Sequence, residues 1–77
     1  MKGGIYMNSV LFRSIMVLNK DTNKKLAEFL NCSEQTVCNK INENGTEFKQ
    51  SEIAMISKRY NLTAEQIADI FFAEEVS

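Results

Sequence analysis

The chain has 77 residues, a formal net charge of −1, two cysteines, no histidine and no proline. That length permits one domain with a small core, hiding roughly 60–65% of the surface that the unfolded chain exposes. Cys32 and Cys38 are too few for a disulfide scaffold, no histidine is present to complete a zinc site, and the longest apolar runs, 10–12 and 15–18, fall far short of the ~20 residues that span a bilayer. Free thiols without a signal peptide predict a reducing, cytoplasmic setting.

In chain order, Met1 to Met7, with Gly3-Gly4, reads as a loose leader covering residues 1–8 and expected to fray, with Met7 a second candidate start. From Ser9 to about Asn19, Leu11, Ile15 and Leu18 recur at helical spacing beside Phe12 and Met16, with Ser9 as the expected cap. Asn19-Lys20-Asp21 reads as the following turn. Thr22 caps a second helix with an apolar stripe of Leu26, Ala27 and Leu30, which stops at Asn31-Cys32. Ser33 caps a third, with Val37 and Ile41 facing inward.

A polar turn, 42–46, precedes Phe48, which is expected to plug the core. A fourth helix over about 50–60 should bury Ile53, Ile56 and Tyr60 before Asn61-Leu62 breaks it. Thr63 and Gln66 form a capping box that opens a fifth helix through Ile67, Ile70 and Phe71. No segment alternates apolar and polar residues as a half-buried strand would. The expected class is all-α: five short helices in one domain over 9–72, closed by an acidic tail over 73–77.

Charge is unevenly placed. Residues 1–60 hold all nine Lys and Arg against six acids, whereas 61–77 hold four acids and no base. Such asymmetry suits one face turned toward an anion and another turned away. Catalysis is not expected: there is no histidine, no phosphate-cradling glycine loop, and the carboxylates are scattered. Nothing calls for a cofactor or a metal.

The most informative stretch is TNKKLAEFLNCSEQTVCNKI, residues 22–41. Two helices joined by about three residues favour a steep crossing, with small Ala27 at the contact and Asn31 in a left-handed turn. Cys32 follows as a small apolar plug, then the Ser33 cap and inward Val37.

In this pattern the chain resembles the lambda-repressor/Cro-like helix-turn-helix superfamily, and most closely the small Cro-like phage proteins of Gram-positive bacteria. The continuation EFKQSEIAMISKRYNLTAEQIADIFF is similar to the family's two closing helices, so the resemblance covers about residues 9–72. Asn23 stands where the family often has glutamine, and Asn31 where it usually has glycine. The resemblance implies a lambda-repressor-like five-helix bundle with its motif at about 22–42. It further implies a sequence-specific transcriptional regulator, a Cro-like repressor of a phage or mobile element in a bacterial host cell.

Its recognition helix, about 33–42, would enter the major groove of a double-stranded DNA operator. Glu34, Gln35, Asn39 and Lys40 are the expected base-reading residues, by analogy and because these side chains match base edges. Asn23, Lys24, Ser33 and Thr36 would contact the DNA backbone, with Lys25 and Lys49 as lesser candidates. A homodimer on DNA is expected, with Phe72 as the seam candidate, and no small-molecule substrate or membrane partner. The alternative reading is a helical protein-interaction module or antirepressor that keeps the fold without binding DNA; the net negative charge favours it.

Overall fold

Five helices carry the fold in the computed structural model, which describes residues 5–74: α1 (Ser9–Leu18), α2 (Asn23–Leu30), α3 (Glu34–Ile41), α4 (Gln50–Arg59) and α5 (Ala64–Phe71). Two two-residue strands flank them, β1 (Ile5–Tyr6) and β2 (Ala73–Glu74). The all-helical class expected from the sequence holds for everything between these strands.

Local chemistry explains each helix start. Thr22, Ser33 and Thr63 take extended backbone angles, and their side chains accept from the backbone N–H three residues on, as the sequence predicts. Gln66 returns the bond to the Thr63 N–H at 2.9 Å, completing the capping box. At α1 the cap lies one residue earlier than expected: Asn8 Oδ1 accepts from the Leu11 N–H at 3.1 Å, and Ser9 is the first helical residue.

The ends of the first four helices share one device. Lys20, Asn31, Glu43 and Asn61 all have left-handed angles, with φ between 54° and 60°. In each case the next residue's N–H bonds back five positions: Asp21 to Met16, Cys32 to Ala27, Asn44 to Asn39 and Leu62 to Ser57. This is the Schellman arrangement, built here without the glycine that usually supplies the left-handed residue. It turns the chain sharply and keeps the connections short.

Phe12, Leu26, Val37, Ile41, Ile56 and Ile70 form the fully buried centre. The Phe12 ring lies 5.8 Å from Phe48, 5.8 Å from Phe71 and 6.1 Å from Tyr60, in tilted or edge-on contacts. Phe48 therefore plugs the core as expected. α2 packs closely on α3, and α5 lies against both α1 and α4. Leu18 departs from the expected inward stripe of α1: it is 80% exposed, and Phe12, Ile15 and Met16 form the buried face. Ile15 and Met16 follow Phe12 by three and four residues, whereas Leu18, three beyond Ile15 at the last position of the helix, lies at the edge of that stripe and outside the core.

The chain ends also differ from the sequence reading. Ile5 pairs with Glu74 and Tyr6 with Ala73 in an antiparallel ladder, the Asn8 N–H donates to the Ile70 carbonyl at 2.7 Å, and Met7 is buried. Residues 5–8 are thus held against α5 rather than frayed, and the acidic tail begins as a strand. Two-residue strands are too short to show an alternating pattern, which is why none was expected. Residues 1–4 of the expected leader and 75–77 of the expected tail lie outside the described residues.

Candidate nucleic-acid interface

Three residues, 31–33, separate α2 from α3. Asn31, at φ 60° and ψ 48°, turns the chain, and the Cys32 N–H ties the turn to Ala27, which is buried beneath it. Cys32 packs against the core as a small apolar residue. The Ser33 hydroxyl then accepts from the Thr36 N–H at 3.1 Å and bonds the Thr36 hydroxyl at 2.8 Å.

On α3, Val37, Lys40 and Ile41 are buried, whereas Glu34 and Gln35 are exposed and Asn39 is half-buried. Gln35 Nε2 donates to Asn39 Oδ1 at 3.1 Å across one helical turn. The two carboxamides therefore stand side by side. Gln35 keeps a carbonyl oxygen and one N–H, and Asn39 keeps both N–H donors, so the pair presents both donors and acceptors.

Lys40 corrects the expected base-reading set. It is only 7% exposed, and its Nζ lies 2.8 Å from both Glu52 carboxylate oxygens and 5.8 Å from the Phe48 ring centroid. The reason is helical phase: position 40 follows Val37 by three and precedes Ile41, so it belongs to the inward stripe. Burial works to raise the Glu52 carboxyl, but the Lys40 bond, the Lys49 N–H and the charges of both lysines hold it below the usual range.

Lys24 is exposed at the start of α2, and Asn23 beside it is half-buried. The Lys25 Nζ reaches the Lys20 carbonyl at 3.4 Å, folding that side chain back over its own turn. Ser33 is exposed and Thr36 half-buried; both hydroxyls serve the α3 cap. Lys49 is exposed ahead of α4. Thus the first turns of α2 and α3 bring Lys24, Ser33, Glu34 and Gln35 to the surface, each within three residues of its helix cap. Phe72, the seam candidate, is 43% exposed at the far end of α5.

Two supporting contacts escaped the sequence reading. The Asp21 carboxylate, 3% exposed, accepts from Arg59 Nε at 2.8 Å and Nη2 at 3.0 Å, and from the Tyr60 hydroxyl. Burial opposes its ionisation, but the Arg59 and Tyr60 bonds, the Thr22 N–H and the Arg59 charge together hold its carboxyl below the usual range. Arg59 also stacks 4.7 Å from the Phe29 ring centroid. This cluster clamps the turn before α2 to the end of α4, and so fixes where α2 begins. Separately, Arg13 Nη2 donates to Asn42 Oδ1 at 2.5 Å, tying α1 to the end of α3. The partners lie 29 to 39 residues apart, and no local pattern announces them.

Each of the two part-buried ion pairs among the described residues removes one charge of either sign, so the surplus of bases over acids in residues 1–60 is unchanged by them. Among the described residues no cluster of three or more potential metal ligands occurs, and no helix is long and apolar enough to cross a membrane. Comparison with family models, with curated proteins and with solved structures yields no match for this chain.

Proposed function

We propose that this chain is a sequence-specific DNA-binding transcriptional regulator in which α2 and α3 act as a helix-turn-helix and α3 enters the major groove. The observation that carries the reading is the Gln35–Asn39 carboxamide pair, held on the open side of α3 directly after a three-residue turn. A carboxamide that both donates and accepts matches the N6/N7 edge of adenine, and Gln35 retains both functions. Asn39 buttresses it and offers its N–H groups to a neighbouring base acceptor. Glu34, exposed one residue earlier, suits cytosine N4. Lys24, with Asn23, Ser33 and Thr36 and the amide ends of α2 and α3, supplies contacts to phosphates on either side.

Affinity then comes largely from the phosphates and selection from α3, with repression by occupancy as the simplest outcome. The resemblance of residues 22–41 to Cro-like proteins supports a phage or mobile-element regulator, and two copies would read half-sites about 34 Å apart.

Selection of the purified chain against random duplex DNA at two salt concentrations tests this. Enriched adenine-containing half-sites, bound more weakly as salt rises, are expected. Absence of both enrichment and salt-sensitive binding would refute the reading and direct the search to protein partners.

A further inference from the structure

We infer that the outward face of α1 is a self-association surface for a second copy of this chain, with the two α1 helices antiparallel about a two-fold axis at Ser14. The inference goes beyond the DNA-binding reading and stands independently of it.

α1 is apolar on both sides. Phe12, Ile15 and Met16 fill the core, while Val10, Val17 and Leu18, at 71%, 73% and 80%, are the most exposed large hydrophobic residues described. Helices apolar all round are normally covered all round. The three residues, with Ser14 and Arg13, line one shallow groove along the helix.

The pattern of the face selects the occupant. Val10 and Leu18 lie four residues on either side of Ser14, so an antiparallel copy crossing there sets Val10 against Leu18 in both directions, with Val17 beside them. That is the self-complementarity a two-fold interface requires. Ser14 is small enough to let two helices approach. Its hydroxyl already donates to the Val10 carbonyl at 3.1 Å, so burying it orphans no donor.

Charge disfavours the other occupants. Arg13 is the only charged residue of α1, and its guanidinium is engaged by Asn42. The face therefore offers nothing to a strongly charged partner. An interfacial membrane helix would carry several Lys and Arg on its polar side, and α1 does not.

A ten-residue helix spans about 15 Å, which places the contact in the small class, below roughly 1,200 Å² in total, that gives reversible complexes. The dimer should therefore form and dissociate with concentration.

Sedimentation equilibrium of the full chain from about 10 µM to about 1 mM, the range a small interface demands, should show the average mass rising from 8.8 kDa toward twice that value. Val17→Lys, with an unchanged melting curve, should remain monomeric throughout. Under mild oxidation Ser14→Cys should form a 14–14 disulfide, mapped by peptide mass to distinguish it from Cys32 and Cys38. It should form many-fold faster than the intermolecular disulfide of an exposed control, Lys58→Cys. A wild-type chain that stays monomeric, a Val17→Lys variant that still associates, or a Ser14→Cys variant no faster than the control would each overturn the inference. None of these readouts involves DNA, so they separate failure here from failure of the proposed function.

Discussion

The Glu52 carboxylate is shared between two helices: both its oxygens lie 2.8 Å from Lys40 Nζ, and one of them also accepts the Lys49 N–H at 2.8 Å. One side chain thereby pins α3 to α4 and closes the first turn of α4. Lys40→Ala removes the cation and leaves the carboxylate largely enclosed. The expected loss is about 1–3 kcal/mol, the range for a charge-assisted bond with its partner left behind. In a thermal melt this is several degrees, and base preference on DNA should not change. A Lys40→Ala protein with full stability and altered preference would return Lys40 to the recognition surface.

The carboxamide contact on α3 makes a coupled prediction. Gln35→Ala and Asn39→Ala should each weaken binding to the selected site by roughly 1–3 kcal/mol, with little effect on random duplexes. Because the two side chains bond each other, the double variant should lose less than the two single losses combined, with a coupling of about 0.5 kcal/mol or more. Competition binding on both kinds of DNA measures it. Equal losses on specific and random DNA would remove these residues from base reading.

Lys24 carries the nonspecific side of the same reading. Lys24→Ala should weaken binding to all sequences and flatten the dependence of log affinity on log salt by about one unit. A salt titration of wild type and variant decides it, and parallel slopes would rule out a phosphate contact.

Acid sensitivity should trace to Asp21 and Glu52. Both carboxyls are held below their ordinary values of 3.8 and 4.5 in the folded chain. Their contribution is therefore complete above those values and is lost as pH falls through them toward the lower folded values. Urea midpoints measured from pH 7 downward should decline below about pH 5. Asp21→Asn should lower stability at pH 7 by about 1–3 kcal/mol and make the decline shallower. An unchanged acid profile in that variant would remove Asp21 as a source.

Left-handed residues other than glycine are a reservoir of strain. At Lys20, φ 54°, the exposed side chain contributes nothing to offset the steric cost of that backbone region. Lys20→Gly should raise stability by about 0.5 kcal/mol, the relief being reduced by the extra freedom of glycine in the unfolded chain. Denaturant melts of the two proteins test the sign.

How much of this could be read beforehand depends on the range of each interaction. Thr22, Ser33 and Thr63 act on residues three positions away, so their caps are legible in sequence. Asn31 is legible because few side chains other than glycine suit a left-handed turn. Lys40 has the chemistry of a base-reading residue, yet its spacing from Val37 and Ile41 puts it on the inward row, and Glu52 stands in the first turn of α4 to receive it. The Asp21–Arg59–Tyr60 cluster and the Arg13–Asn42 bond depend on how helices pack, and nothing local encodes them. Leu18 shows the limit of counting apolar residues: α1 has two apolar faces, and its sequence alone does not say which one the core takes.

The short ladder joining Ile5–Tyr6 to Ala73–Glu74 makes the fold a circuit rather than a line. With the Asn8 N–H bound to the Ile70 carbonyl, the first and last helices are fastened to each other through their outer ends. The two extremities therefore stand or fall together. β1 leads through Met7 and Asn8 into α1, and Arg13 of α1 bonds Asn42 at the end of α3, so the paired chain ends are connected through one helix to the element that carries Gln35 and Asn39.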